Sequence, residues 1–318
     1  MGRQPGKTSS PIRAFESKIV SLSPEFYGWQ GYRCSYECWQ PSSATNPGPP
    51  LVLIHPIGVG LSRRFWWRFC RQWQQQGHPH ALYNLDLLGC GDGDLPRWAY
   101  TPADWGSQLC CFLETVVQAP PLVVVQGASL PIALELVRQE PQTSIRGLVL
   151  VGPPARSVIR DRAPLWRQRL LWLLLSSPLG WAFFQYARRP QFLRSFSQQR
   201  LFARAEAVDR EWLELLAVGA RDSRSRYAVL SFLAGFWRQN YAALLPAVAQ
   251  PTLVLVGDAA TSISRRAAPE TPQQRLEAYR QQLPNAQGQT IAGRNVLPYE
   301  ATAAVEAVIA PFARSLAR

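Results

Sequence analysis

Short apolar runs alternate with amphipathic stretches along most of the chain. The runs predict buried strands of a parallel sheet, and they lie at residues 51–55, 81–85, 122–125, 145–152 and 252–257. Between them, apolar side chains recur at helical spacing in residues 62–75, 101–117 and from 131 onward. Strands that alternate with helices predict an α/β fold, with a mostly parallel central sheet and helices on both of its faces.

Different patterns surround these alternating units. Residues 19–41 alternate aromatic and polar side chains, which predicts an antiparallel hairpin at the edge of the sheet. Near the C-terminus we expect a polar helix at 272–282, a short strand at 289–292 and a final helix at 301–317. From 153 to 246 only helical patterns occur. We therefore predict a flexible basic N-terminal tail (1–18), an α/β core (19–152 and 247–318) and an all-helical cap (153–246).

The most apolar stretch, residues 165–184, lies within the predicted cap. Two serines, a proline and a glycine at positions 176–180 interrupt it, so neither half reaches the ~20 apolar residues of a membrane span. We predict a helical hairpin, flanked by arginines at positions 160, 162, 167, 169, 188, 189 and 194. Such a hairpin packs on the core, lines a lipophilic pocket or lies on an anionic membrane surface. The sequence leaves these three roles open.

Residues 121–137 join a strand, a corner of small residues and a helix. The strand is 122–125, the corner is Gly127-Ala128-Ser129, and helical spacing begins after it. This arrangement resembles the nucleophile elbow of the α/β-hydrolase superfamily, whose G-x-S-x-G motif ends here in Pro131. The resemblance implies Ser129 as the nucleophile and the backbone N–H of Leu130 as one donor of an oxyanion hole.

Two further landmarks carry the resemblance. In the loop after strand 51–55, His55 matches the family and Pro56 stands where the family has glycine. The next residue, Ile57, falls at the position whose N–H supplies the second oxyanion donor. The turn at 86–93, which begins with Asp86, is similar to the family's D-x-x-G-x-G-x-S signature, with Gly93 replacing the serine.

The acid and the histidine of the family's triad are missing from their expected places. The acid should follow the strand that ends at residue 257, where this chain has Ala260. Asp258 lies two residues early and is a weak candidate for the same role. The histidine should precede the last helix, where this chain has Val296 or, with a one-residue slip, Asn295. Neither of these side chains acts as a base, so the triad is degenerate.

None of the three histidines of the chain lies at the position where the family has its triad histidine. His55, His78 and His80 all precede Ser129, whereas the family's histidine follows its serine. His78 and His80 are expected in a turn on the side of the sheet away from the site. His55 is a weak alternative base, because the family uses it to hold the oxyanion loop. Without a base, a serine hydroxyl is a poor nucleophile at neutral pH.

The charge composition of the chain indicates which classes of partner it could bind. Lys and Arg number 34 against 21 Asp and Glu, a net charge of +13, and all but two of the basic residues are arginine. Arginine pairs well with phosphates and carboxylates, so an anionic membrane surface is a candidate partner. A compositional bias towards arginine is the alternative explanation. The arginines lie between Leu and Trp rather than in a nucleic-acid-binding module, which argues against nucleic acid.

The cysteines bear on metal binding and on the compartment. The six cysteines include no C-x-x-C pair, so we expect reduced thiols and no metal site. Triad chemistry needs no cofactor, and none is implied. The N-terminus lacks the apolar core of a signal peptide. We therefore expect a cytoplasmic protein, with peripheral contact to a membrane left open.

Three functions remain open from the sequence. The first is a serine hydrolase or acyltransferase that acts on a lipophilic ester through Ser129. The second is a hydrolase-fold protein without hydrolytic activity that binds a small hydrophobic molecule under its cap. The third is a membrane-surface accessory protein that acts through the apolar hairpin and its arginines. The elbow and the apolar cap favour the first, and the missing triad residues favour the second.

Overall fold

The computed structural model describes residues 22–41, 47–140, 144–264 and 267–317, so the predicted tail at 1–18 lies outside it. The described part contains an eight-stranded sheet. Its strands are β1 (Glu25–Trp29), β2 (Tyr32–Trp39), β3 (Leu51–Ile54), β4 (Leu82–Leu85), β5 (Leu122–Gln126), β6 (Gly147–Val151), β7 (Thr252–Gly257) and β8 (Ala286–Ile291). All five strands that apolar runs predicted are present.

The strand order across the sheet is β1-β2-β4-β3-β5-β6-β7-β8. β1 and β2 pair antiparallel through a turn at Gln30 and Gly31, and β2 pairs antiparallel with β4. All other neighbouring strands pair parallel. The predicted fold class and the predicted edge hairpin are therefore confirmed.

Helices connect the strands and cover both faces of the sheet. Before β6 the helices are α1 (Trp67–Gln75), α2 (Pro102–Phe112) and α3 (Leu130–Gln139). Between β6 and β7 lie α4 (Arg156–Arg160), α5 (Leu165–Leu175), α6 (Pro178–Ala187), α7 (Pro190–Phe196), α8 (Arg210–Gly219) and α9 (Arg226–Ala234). Helix α10 (Pro272–Gln282) precedes β8, and α11 (Leu297–Glu300) and α12 (Thr302–Ser315) follow it. Short 3-10 turns lie at Arg63–Trp66, Gly127–Ser129, Ala205–Ala207, Ser223–Ser225, Tyr241–Ala243 and Leu245–Ala247, and π turns at Leu113–Val117 and Ser197–Leu201.

The segment between β6 and β7 is called the helical insertion below. Every element in it is helical, in agreement with the pattern in the sequence. The exact division of the chain into core and cap stays a prediction.

The central strands bury both of their faces, which is why they form continuous apolar runs in the sequence. Val123 and Val125 of β5 belong to an apolar cluster that includes residues of α2, α3 and α10. Leu122 and Val124 point to the opposite face, where the cluster includes residues of α1 and α12. The alternation along one strand therefore joins the sheet to two separate helical layers.

Two element boundaries differ from the prediction. β8 begins at Ala286, three residues before the predicted start, because its first residues are polar and pair along an exposed edge instead of forming an apolar run. Apolar residues also recur at helical spacing over residues 223–240, which predicts one helix there, but the helix ends at Ala234, where Gly235 caps its C-terminus. Beyond it, Trp237 lies outside the helix and lines the cavity described below.

Helices α5 and α6 form the predicted hairpin, and their axes are bent by 75° relative to each other. Ser177 caps α6 by accepting a hydrogen bond from the N–H of Leu179 at 3.2 Å. A Cβ atom at Gly180 would lie 1.6 Å from the carbonyl oxygen of Leu175, so only glycine permits this close turn. No single helix in the described part of the chain is long and apolar enough to cross a membrane.

Candidate functional site

The elbow is a sharp turn between β5 and α3. β5 ends at Gln126, and the next residue, Gly127, has a φ of 60°. It is the residue of the turn in the left-handed region, which side chains other than glycine enter only with strain. The nucleophile of an elbow sits on such a strained tip, above the end of the strand. Gly127 therefore occupies the tip, and it lines the cavity described below.

Ser129 lies two residues beyond the tip. Its backbone is in the right-handed helical region, with φ and ψ of −81° and −2°. The side chain is fully buried, and its hydroxyl donates a hydrogen bond to the carbonyl oxygen of His55 at 2.8 Å. Ser129 is not among the residues that line the cavity. The structure thus places Ser129 where it fastens α3 to the loop after β3, and does not bring it to the position of a nucleophile.

The presence of Pro131 instead of the motif's last glycine is explained when Gly127 is the tip of the elbow. Pro131 lies in the first turn of α3. A proline is accepted there because the first N–H groups of a helix need no partner inside the helix. The motif G-x-S-x-G therefore aligns best with the elbow when Gly127, rather than Ser129, stands at the central position.

The same shift moves one of the expected oxyanion donors. The N–H of Leu130 donates to the carbonyl oxygen of Gly127 and is already used in the turn. The residue after the tip is Ala128, which lines the cavity, and the start of a helix leaves its N–H without an intrahelical acceptor. Ile57 also lines the cavity, as the resemblance implied. Two backbone N–H groups, those of Ile57 and Ala128, are therefore the candidate donors.

His55 is completely buried, and both of its ring nitrogens have partners. Nδ1 lies 2.9 Å from the carbonyl oxygen of Pro56, and Nε2 accepts a hydrogen bond from the N–H of Leu87 at 3.1 Å. This pattern places the proton of the neutral ring on Nδ1. Burial lowers the pKa of His55 below its usual value. The ring joins the loop after β3 to the turn after β4 and has no free nitrogen to act as a base.

The other two histidines and Asp258 also lie outside the cavity lining. His78 Nε2 pairs with the carboxylate of Glu306, and His80 Nδ1 lies 3.0 Å from the carbonyl oxygen of Pro49. Asp258 is exposed, and its carboxylate accepts a hydrogen bond from the N–H of Gly293 at 3.0 Å. These contacts hold turns together, and none of the three side chains reaches the elbow tip through them.

The two positions expected for the family's histidine do border the site. Val296 and Asn295 both line the cavity. The amide nitrogen of Asn295 donates to the carbonyl oxygens of Arg200 at 2.7 Å and Thr261 at 3.0 Å. Its backbone oxygen accepts a hydrogen bond from Gln126 Nε2 at 2.7 Å. The place of the triad histidine is thus occupied by side chains that pack and position the backbone.

The loop after β3 is supported by a buried cluster of charges that sequence reasoning missed. Arg63 donates to Glu37 Oε1 at 2.9 Å and to Asp92 Oδ2 at 2.6 Å, and it also pairs with Asp86. Arg63, Glu37 and Asp86 are all buried. Burial alone opposes ionisation, but Asp86, Glu37 and Asp92 raise the pKa of Arg63. Asp86 also accepts a hydrogen bond from the hydroxyl of Ser35 at 2.7 Å. Burial by itself would raise the pKa of Asp86, but the positive charge of Arg63 outweighs this effect, so the pKa is lowered.

A cavity of about 550 Å³ lies between the elbow and the helical insertion. Its wall is mostly aliphatic and aromatic, and the aromatic members are Phe183, Phe192, Phe196, Phe232 and Trp237. Gln126, Arg238, Arg275 and Asn295 are among its polar members, whereas no Asp, Glu or His of the described residues lines it. Arg275 is paired with Glu270 at 2.6 Å and Arg238 with Asp161 at 3.3 Å, so both positive charges are balanced nearby.

The described residues contain no cluster of three or more His, Cys, Asp or Glu side chains able to hold a metal ion. All six cysteines are free thiols.

A family model described as "Alpha/beta hydrolase family" matches residues 51–309. The chain belongs to this family. The resemblance inferred from the elbow, the loop after β3 and the turn at 86–93 is therefore confirmed. No sequence among curated proteins matches the chain.

Solved structures share this fold at low sequence identity. A thermophilic esterase from Thermogutta terrifontis is 17% identical with a TM-score of 0.69, and the match covers 93% of this chain and 100% of that one. The enol-lactonase from Burkholderia xenovorans LB400 is 14% identical with a TM-score of 0.65, covering 91% and 99%. A membrane phospholipase A described as a bacterial virulence factor is 19% identical with a TM-score of 0.68, covering 96% and 90%. At these identities the likeness shows the α/β-hydrolase fold alone.

Proposed function

We propose that this member of the alpha/beta hydrolase family does not hydrolyse esters and instead binds a lipophilic small molecule in the cavity beside the elbow. The observation that carries the proposal is Gly127 at the tip. Glycine has no side chain to attack a substrate, and the serine of the elbow, Ser129, donates its buried hydroxyl to the carbonyl oxygen of His55.

The positions of the titratable groups support the same proposal. A serine hydrolase needs a base within hydrogen-bond reach of its nucleophile. The chain has only three histidines, each of them is engaged in a contact with another group, and none of them lines the cavity. Ala260 and Val296 stand where the family's acid and histidine belong. The residual catalysis of a site that lacks its triad is far below that of a working esterase.

The cavity itself supports a ligand that is mainly apolar and carries one oxygen-containing group. Its volume and its aromatic and aliphatic wall are typical of small-molecule sites. At the elbow end, the N–H groups of Ile57 and Ala128 are candidate donors. Gln126 Oε1 is a buried acceptor without a hydrogen-bond partner among the described residues. A hydroxyl or carboxyl group bound there would satisfy these buried polar atoms.

The proposal is tested by titrating the purified protein with cis-parinaric acid, a fluorescent long-chain fatty acid. Val229 lines the cavity from α9, so Val229→Trp should fill it and weaken binding at least tenfold. Val137→Trp on α3 is the matched control, because Val137 does not line the cavity. Binding that is absent in the wild type, or equal in both variants, would overturn the proposal.

A second measurement addresses hydrolysis directly. A fluorophosphonate probe reacts with an activated serine, so we expect no labelling of the folded wild-type protein. Labelling that disappears in Ser129→Ala would instead show that Ser129 is activated, and the protein would then be a serine hydrolase.

A further inference from the structure

The α5–α6 hairpin exposes an unusual amount of apolar surface. Eight of its large side chains are between 48% and 69% exposed and are called the hairpin face below: Leu165, Trp166, Leu170, Leu173, Leu174, Leu179, Trp181 and Tyr186. Contiguous apolar surface of this kind is rare on proteins that stay in water and marks a site of interaction. Trp side chains in particular favour the boundary between water and lipid.

The charged residues of the segment that contains the hairpin are all of one sign. Residues 162–205 contain eight arginines and not one aspartate or glutamate. Arg162, Arg167 and Arg169 are exposed beside the hairpin face, and Arg189 and Arg194 are exposed beyond the end of α6. Arginine bends its apolar stem along a membrane while its guanidinium reaches the phosphates. An exposed apolar surface with exposed arginines in the same segment complements an anionic lipid surface.

The hairpin face leads towards the cavity. Phe183 and Phe196 line the cavity and are also partly exposed, and the same holds for Leu233 and Ile263. Phe183 belongs to α6, so one helix contributes to both surfaces. The mouth of the cavity is therefore apolar and adjoins the hairpin.

We propose that the hairpin face docks on an anionic lipid bilayer and turns the mouth of the cavity towards the acyl chains. The ligand then enters the cavity from the membrane rather than from water, an inference that rests on the proposed function. The hairpin lies in the interfacial plane, because its two short helices are bent by 75° and neither spans a bilayer.

A second copy of the chain fits this surface less well. Most homodimers are two-fold symmetric and place the same patch of both subunits face to face. Such a dimer would bring two cationic segments of eight arginines each into contact without any acidic residue of residues 162–205 to compensate. Lipid phosphates supply the missing negative charge.

The test is cosedimentation of the full chain with vesicles of phosphatidylcholine alone or with added phosphatidylserine. We expect binding that needs phosphatidylserine and falls as salt is raised. Arg162→Gln/Arg167→Gln/Arg169→Gln should weaken binding about a hundredfold, from about fivefold for each arginine. The control Arg210→Gln/Arg224→Gln/Arg280→Gln makes the same change in net charge at exposed arginines elsewhere and should change binding by less than about threefold.

The apolar contribution is tested by Trp166→Ser/Leu173→Ser, with Phe26→Ser on the exposed edge strand as the control. We expect vesicle binding to be lost in the first variant and retained in the control. Equal losses in the matched variants, or no binding to phosphatidylserine vesicles, would overturn the inference. A wild-type dimer in solution that Leu173→Ser dissociates, without vesicle binding, would overturn it in favour of self-association.

Titration with cis-parinaric acid in the absence of vesicles separates this inference from the proposed function. The hairpin variants should bind the fatty acid as the wild type does, and Val229→Trp should still bind vesicles. Loss of vesicle binding alone counts against the membrane inference, and loss of fatty-acid binding alone counts against the proposed function.

Discussion

Two regions next to the loop after β3 differ in what their side chains contribute. On one side, Arg63 and the carboxylates around it form a buried cluster in which each charge has an opposite partner. On the other side, the elbow presents Gly127 to a mostly apolar cavity, and no Asp, Glu or His of the described residues lines that cavity. The first region consists of paired buried charges, and the second is lined mainly by apolar side chains.

The difference separates what the fold needs from what the reaction needs. Buried charges that lose a partner destabilise a protein strongly, so the cluster around Arg63 is tied to folding. A catalytic serine at the tip adds strain rather than stability, because its backbone is held in the left-handed region. The buried charge cluster is therefore needed for folding whichever side chain stands at the elbow tip.

Removing Arg63 should have the largest effect on this comparison. Arg63→Met leaves Glu37 and Asp86 buried without their counter-charge, and we expect the free energy of unfolding to fall by about 3–5 kcal/mol. Urea or guanidinium denaturation measures this change. Arg210→Met is the control, because Arg210 is exposed and pairs with Glu214 on the surface of α8, and it should cost about 1 kcal/mol or less. Equal effects in the two variants would contradict a special role for the buried cluster.

His55 should behave as part of the scaffold when the pH is lowered. Burial lowers its pKa in the folded protein, so between that pKa and about 6.5 the unfolded chain binds more protons. Its contribution is present above pH 6.5 and is lost as the pH falls. The stability of the wild type should fall by up to about 1.4 kcal/mol per pH unit relative to His55→Gln in that window.

Denaturation curves of both proteins between neutral and mildly acidic pH measure this difference. Gln retains one donor and one acceptor but does not titrate, which makes it the matched substitution. If the free energies of unfolding of the two proteins changed equally with pH over this range, His55 would not be a buried neutral residue.

Changes at the elbow tip should have the smallest effect on stability. A Cβ atom at Gly127 meets no atom closer than Gly152 O at 4.0 Å, so Gly127→Ser fits and pays mainly for its left-handed backbone. We expect a loss of about 1–2 kcal/mol. Gly127→Asn should lose less, because asparagine enters this region more readily. Thermal or chemical unfolding of the two variants measures the difference, and a stabilising Gly127→Ser would contradict the assignment of the tip.

Much of the fold could be predicted because the strands of a parallel sheet are buried on both faces. Such strands form continuous apolar runs, as at 122–125 and 252–257, and local pattern is enough to find them. β8 was predicted with the wrong start because residues 286–290, which are small or polar, pair with β7 at the edge of the sheet. A strand of this composition has no alternation of apolar residues by which it could be recognised in the sequence.

The register of the elbow was not predictable in the same way. The corner Gly127-Ala128-Ser129 has a serine at a position that the motif could use, and neither alignment places a glycine at both flanking positions of the motif. Only the backbone dihedral angles distinguish them, and those depend on where β5 stops pairing with its neighbours. The spacing from the apolar positions of α3 was the signal that could have indicated Gly127.

By itself, the sequence determined that the chain has three histidines and that all of them precede the elbow, which no folding can change. The tertiary structure decided which residue stands at the tip, how Arg63 is neutralised and that the hairpin faces outward. Each of these depends on contacts between residues far apart in the chain, such as Arg63 with Glu37 and Ser129 with His55. Local pattern records what a segment prefers, and only packing decides which neighbour it meets.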